Sequence, residues 1–288
     1  MLAYSALRTM ANGSDMSGFR AWRTLAGAGA VAAAGTVLGV QAVPAGAAVQ
    51  APYPAITVPG AVYHPAARTL TLGMRGPAVL ALQQRLNYLH YYCGKPDGRF
   101  GWDTMEAVWA FKEVQSGRRI PPHPDIVGAA MQAQLAHPRL PRALKPHGGA
   151  SRIEVNKNLE VLVVYRAGRV VLISHVSTAD ETRPDVYGSV TPDGTYRAWE
   201  YVPGAVPDSR FGGFMYNPVF FIGTTYAIHG MPDPTSTFSY DGVPLNPASH
   251  GCARIPMDVS LVLHTLIQVG PVDGTRVYVL GPEYLRWS

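Results

Sequence analysis

The chain has 288 residues, 47% of them hydrophobic and 15% charged, with 30 Gly and 25 Pro. That composition excludes a disordered chain and a long-helix architecture; it leaves a loop-rich, β-rich body with room for two modest domains and a leader. The net charge of +5 includes +2 from residues 1–48, which hold three Arg and one Asp; the remaining +3, with no Lys/Arg run among aromatics, suits an anionic polymer and makes no case for nucleic acid.

In chain order, Arg8, Arg20 and Arg23 precede an apolar run from Leu25 to Val43 and the small residues Pro44-Ala45-Gly46-Ala47-Ala48. This predicts a cleaved export signal over 1–48 and an exported mature protein. The run is rich in Ala and Gly, so it makes a weak permanent anchor; an uncleaved membrane anchor is the alternative. Met16 offers a second possible start. Residues 49–68 are Pro-rich and read as an extended linker.

From residue 69 the pattern turns helical. Val79, Leu82, Leu86 and Leu89 recur at helical spacing, the Pro96–Gly101 cluster marks a turn, and Ala107, Val108, Phe111 and Val114 form the apolar face of a second helix. Asp103 or Thr104 is the expected cap of that helix. A third helix is expected from about Asp125 to Leu135. The predicted unit is a small three-helix all-α domain over 69–136.

This segment resembles the three-helix peptidoglycan-binding domain family. The resemblance rests on Leu72-Gly73-Met74-Arg75-Gly76-Pro77-Ala78-Val79, on Leu82-Gln83-Gln84-Arg85-Leu86, on Asp97-Gly98-Arg99-Phe100-Gly101, and on Thr104 through Phe111. It departs at Ile120–Pro124, a Pro-rich entry to the third helix. No residue-level sugar or peptide contacts are assigned.

Residues 137–151 read as an interdomain linker, and 152–288 as a β-rich domain with one helix. Ile153 and Val155, then Val161–Tyr165, are strand-like; Ala167-Gly168 predicts a tight turn into an answering strand, Arg169–Ile173. Further strands are expected at Thr195–Tyr201, Phe220–Ile222, Tyr226–Ile228 and Val277–Leu280, and a helix over Met257–Val269.

The chemistry concentrates in Ser249-His250-Gly251-Cys252-Ala253-Arg254. A cysteine becomes a nucleophile when a base takes its proton. His229, at the end of an apolar strand, is the better candidate base; His250 is adjacent to the loop glycine. Gly251 permits close approach, and successive backbone N–H groups around Gly251 and Cys252 suit an oxyanion hole. That set suits acyl transfer through a thioester. The chain has two cysteines; a Cys93–Cys252 bond would consume the nucleophile, so both are expected free, Cys93 as a partly buried small residue.

Ile228-His229-Gly230 followed by Ser249–Arg254 resembles the L,D-transpeptidase catalytic domain, over most of 152–281. Val176-Ser177-Thr178, Thr191-Pro192-Asp193-Gly194-Thr195-Tyr196, Val269-Gly270 and Gly274-Thr275-Arg276-Val277 carry the resemblance further. It implies that Cys252 attacks the L-centre carbonyl of a diamino acid in a peptidoglycan tetrapeptide stem, that D-alanine leaves, and that an amine from a neighbouring stem resolves the thioester into a 3→3 cross-link. It implies His229 as base, oriented by the Gly230 carbonyl because the Ser of some relatives is absent, and the backbone N–H groups of His250, Gly251 and Cys252 as the oxyanion donors. It also implies acylation by carbapenem-type β-lactams, with stem peptides and glycan as partners. Arg254, Ser249 and Tyr226 are the substrate-binding candidates; Arg254 suits a carboxylate, a structural salt bridge being its other reading.

Rival readings remain. Water in place of the amine would give an L,D-carboxypeptidase, and a decayed cleft would leave a non-catalytic wall-binding protein. His229, His250 and Cys252 are in principle zinc ligands. No His-Glu-x-x-His, Ser-x-x-Lys or Lys-Thr-Gly occurs, so neither a metal nor any other cofactor is expected. Nineteen residues separate His229 from Ser249; the insert Met231–Pro247, with four prolines, Phe238, Tyr240 and Asp241, is expected to form a lid over the cleft.

Overall fold

Val161-Leu162-Val163-Val164-Tyr165 is apolar without alternation because both faces of this strand are covered. Val161, Val163 and Tyr165 pack into a core shared with the N-terminal helices, while Leu162 and Val164 face a second core between two sheets. The computed structural model describes residues 63–119, 121, 123–181, 190–233 and 242–281. The expected export signal, most of the first linker, and Phe238, Tyr240 and Asp241 lie outside them. Among the described residues, no helix is long and apolar enough to cross a membrane.

The N-terminal part comprises α1 (Pro77–Tyr88), α2 (Trp102–Ser116), α3 (Ala129–Ala136) and a two-stranded ladder of β1 (Leu70–Thr71) and β2 (Ile126–Val127). The expected third helix is shorter than its pattern, because Ile126 and Val127 pair with β1 and Gly128 is the extended residue from which α3 starts. The expected caps of α2 are corrected too. Gly101 is its N-cap and no side chain caps it; Asp103 and Thr104 lie inside the first turn. The Thr104 hydroxyl instead accepts from Gln83 Nε2 at 3.0 Å. Gln83 is buried, and its Oε1 accepts the Asp97 and Gly98 N–H groups at 3.0 and 2.7 Å, which fixes the Asp97–Gly101 turn against α1. Cys93 is fully rather than partly buried, with its thiol on Gln83 O and Asn87 Oδ1.

The β-rich part holds two five-stranded sheets. One contains β3 (Arg152–Asn156), β4 (Val161–Arg166), β5 (Arg169–His175), β6 (Gly194–Arg197) and β12 (Arg276–Leu280), in the order β5-β4-β3-β12-β6. The other contains β7 (Glu200–Tyr201), β8 (Ala205–Pro207), β9 (Phe214–Ile222), β10 (Tyr226–Met231) and β11 (Ala253–Pro256), in the order β11-β10-β9-β7 with β8 also on β9. The β4–β5 hairpin turns at Ala167 and Gly168, both with positive φ, as a type I′ turn requires. The predicted strand Thr195–Tyr201 is two strands in different sheets. At Ala198–Trp199 the chain crosses over: Ala198 N–H bonds Thr275 O beside β12, and Trp199 N–H bonds Phe220 O in β9. The last helix, α4 (Met257–Leu266), ends three residues before its predicted end, where Ile267 becomes extended.

The helical part caps the outer face of the first sheet. Ile173 N–H bonds His90 O at 2.8 Å and Tyr91 bridges Ile173, so the segment after α1 covers the β5 edge. Tyr91, Phe111, Trp109 and Leu86 share one core with β4 and β5. The stretch predicted as interdomain linker is itself tied in: Leu144 and Lys145 N–H groups donate to the buried Glu154 carboxylate.

Candidate active site

Strands β10 and β11 run parallel, with Ile228 opposite Ala253 and His229 opposite Arg254. Residues two apart on a strand share a face, so Cys252, just before β11, and Arg254 point to the side of His229. All three line one pocket of about 140 Å³, together with Tyr226, Ser249 and His250.

His229 is buried, and its Nδ1 lies 3.0 Å from Gly230 O. A carbonyl only accepts, so Nδ1 carries the proton and Nε2 presents a lone pair. Burial, offset in part by the Gly230 bond, pushes this imidazole down to about 4. It is neutral across the physiological range. The Cys252 thiol is held above its ordinary range by burial; a bond from the Ala227 N–H and the positive charge of Arg254 work against that shift. The thiol contacts Thr225 O at 3.6 Å. Both cysteines are free.

The cysteine loop is clamped from below. Gly251 has φ +139°, and a Cβ there would lie 2.5 Å from Tyr226 Cε1 and 3.2 Å from Val190 O. Glycine is therefore required by the Tyr226 ring and the backbone as well as by any substrate. Thr191, fully buried, donates from Oγ1 to Gly251 O at 2.9 Å and accepts the Ala179 N–H at 2.9 Å. Ser177 exchanges both backbone hydrogen bonds with Arg254, and Thr178 O accepts from Ala248 and Ser249. Glu160, buried, accepts from both the N–H and the hydroxyl of Thr178. The Val176–Thr178 and Thr191–Tyr196 motifs thus form the bed on which the loop rests.

Two assignments change. Ser249, expected to bind substrate, is fully buried; its hydroxyl donates to Cys252 O at 2.6 Å and accepts the Gly251 N–H at 3.0 Å, so it braces the loop. That bond also commits the Gly251 N–H, one of the three expected oxyanion donors. Arg254 lines the pocket while Nη1 donates to Ala248 O at 3.2 Å, which aims the guanidinium along the pocket wall. Gly230 is explained by packing: a Cβ there would lie 2.4 Å from Ser260 Oγ of α4.

The structure adds a wall that sequence reasoning missed. Pro207–Phe211 lines the pocket, and the Phe211 ring stacks on His250, centroids 3.9 Å apart and planes 7° apart. Asp208 Oδ1 accepts the N–H groups of Arg210 and Phe211, an Asx-type turn. The sequence Asp208-Ser209-Arg210 marks a turn; nothing local marks it as a pocket wall. His250 therefore contributes its ring to the wall, and burial lowers its pKa. Of the insert expected to cover the cleft, the described residues pack elsewhere: Val243 is buried, Leu245 joins the helical core, and Pro244 O bonds His175.

The L,D-transpeptidase catalytic domain (YkuD) matches residues 150–279, and a peptidoglycan-binding domain matches residues 75–116. No curated protein matches the chain. Among solved structures, the L,D-transpeptidase from Xylanimonas cellulosilytica (its residues 123–326) is 30% identical with a TM-score of 0.60, covering 75% of this chain and all of that one. An L,D-transpeptidase from Stackebrandtia nassauensis is 17% identical, with a TM-score of 0.38, over 74% of this chain and 97% of that one. One from Mycobacterium tuberculosis H37Rv is 15% identical, with a TM-score of 0.35, over 46% of this chain and 58% of that one. By its match to the Xylanimonas enzyme and to the catalytic domain, this chain belongs to the L,D-transpeptidase family, acyltransferases that act on peptidoglycan.

Proposed function

We propose that the protein is an exported enzyme that acylates Cys252 with a peptidoglycan tetrapeptide stem, releases D-alanine and forms 3→3 cross-links. The observation that carries this reading is the shared face of His229 and Cys252 across the β10–β11 ladder, with His229 Nε2 left as an acceptor by the Nδ1–Gly230 bond. His229 takes the thiol proton as the sulfur attacks the carbonyl, and the backbone N–H groups of His250 and Cys252 face the developing oxyanion. The imidazolium returns its proton to the departing amine of D-alanine, leaving a thioester. A side-chain amine of a second stem attacks, loses its proton to His229, and the sulfur departs. Arg254 pairs with a stem carboxylate, and Tyr226, Phe211 and His250 form the apolar walls.

Residues 69–136, with α1 to α3, hold the enzyme on the wall, and residues 1–48 direct export. A thiol in this setting also opens carbapenem-type β-lactams, giving a stable acyl-enzyme. Incubation with a disaccharide tetrapeptide and mass analysis of the products tests the reading. A cross-linked dimer with free D-alanine is expected from the wild type and neither from Cys252→Ala. Tripeptide with D-alanine and no dimer would show that water is the acceptor; activity surviving Cys252→Ala would overturn the mechanism.

A further inference from the structure

Outside the pocket, three carboxylates from two separate parts of the chain converge. Asp103 and Glu106 stand three apart on α2, on one helix face, and Asp233 follows β10 two residues after Met231. One carboxylate oxygen from each lies within 4.8 Å of the other two. Glu106 is 2% exposed, accepts a bond from the Val243 backbone, and keeps Oε2 fully buried without a hydrogen-bond partner among the described residues; Asp103 Oδ1 is likewise buried and has no hydrogen-bond partner among them. Asp258, in the first turn of α4, adds a fourth negative charge to the surroundings.

A buried carboxylate oxygen with no donor is costly, and several together more so. Two things relieve such a cluster: shared protons or a hard cation. The geometry favours the cation. The donors are all carboxylate oxygens within 4.8 Å of one another, an irregular all-oxygen set of the kind Ca²⁺ accepts at ~2.3–2.6 Å, whereas Mg²⁺ at ~2.0–2.1 Å demands a near-ideal octahedron.

We propose that Asp103, Glu106 and Asp233 bind a divalent cation, Ca²⁺ by its tolerance of an irregular all-oxygen set, that ties α2 to the base of the insert between His229 and Ser249. Asp233 and Val243 stand at the two described ends of that insert, and both meet Glu106. The ion would therefore brace the insert on the helical part, outside the pocket that Cys252 lines. This site is independent of the acyl-transfer reading above.

The test uses the full mature chain stripped of metal by a chelator. Calorimetric titration with CaCl₂ should give one ion per chain. Calcium at about 5 mM, above the ~10⁻⁴–10⁻³ M dissociation constants of weak extracellular sites, should raise the melting midpoint by several degrees. Asp233→Asn, at an exposed position, should fold normally and weaken binding about tenfold or more. Cys252→Ala should keep the full calcium response. No heat and no shift in the wild type would overturn the proposal, as would an unchanged response in Asp233→Asn. If Asp233→Asn raises the melting midpoint without metal and the wild type ignores calcium, protons occupy the cluster and the cation site is wrong.

Discussion

His175, the last residue of β5, lies with Nδ1 3.0 Å from Glu113 Oε1 of α2 and with Nε2 2.9 Å from Pro244 O. Both ring nitrogens face acceptors, so both donate and the imidazole is cationic. The pair is fully buried, with Trp109 edge-on to the ring at 5.3 Å. It joins the helical part, the first sheet and the insert at one point.

The pair makes stability depend on pH with a definite sign. Burial alone would lower the His175 pKa; the Glu113 charge and hydrogen bond outweigh it and raise the group to about 9. A raised histidine contributes stability that is fully present below its unfolded value of about 6.5 and is lost as pH rises through about 9. Burial also raises Glu113, which acts in the same direction. Urea unfolding should therefore show stability falling between neutral pH and pH 10, with a shallower fall in His175→Gln. Removing one partner of such a pair costs about 3–5 kcal/mol. Parallel pH curves for the two proteins would contradict this assignment.

The resting site is a neutral thiol beside a neutral imidazole. His229 is pushed down to about 4 and Cys252 upward, chiefly by burial, so a preformed thiolate–imidazolium pair is disfavoured. Alkylation of Cys252 should accelerate with pH through and beyond the ordinary thiol value of about 8.5. A rate plateau from pH 6 to 8 would reveal an ion pair instead. His229→Ala should lower acyl transfer about 10²–10⁴-fold while leaving the melting curve close to wild type.

Gly251 is constrained by its own φ, by the Tyr226 ring and by Val190 O. Gly251→Ala should cost about 1–3 kcal/mol and most of the activity. Adding Tyr226→Ala removes the ring contact but neither the backbone strain nor the carbonyl, so stability should recover only in part. Full recovery in the double variant, read by thermal melting, would show that the positive φ carries no cost.

Thr191 holds the loop through one hydroxyl used twice. Thr191→Val keeps the shape and strands the Ala179 N–H and the Gly251 carbonyl, at about 1–3 kcal/mol. Thr191→Ser should retain both bonds and most of the acylation rate. Equal losses in the two variants would assign the residue to methyl packing.

Much of this protein follows from local pattern. Helical spacing marks α1 and α2, short apolar runs and a tight turn mark β4 and β5, and the Ser249–Arg254 and Ile228–Gly230 segments mark the proposed reactive pair, because these signals depend on residues near in sequence. The Ala198 crossover escaped because a strand that changes sheets keeps its strand pattern. Ser249 read as a contact for substrate because its fully buried position depends on Thr178 and Cys252 being brought around it. Phe211 against His250, Glu113 against His175, and Asp233 beside Glu106 join residues 39, 62 and 127 positions apart. The sequence by itself determined which residues can do chemistry and which faces must be buried. Only the tertiary structure decided that the helices cover the outer face of the first sheet, and which polar groups meet once water is excluded there, since that depends on the path of the chain between elements.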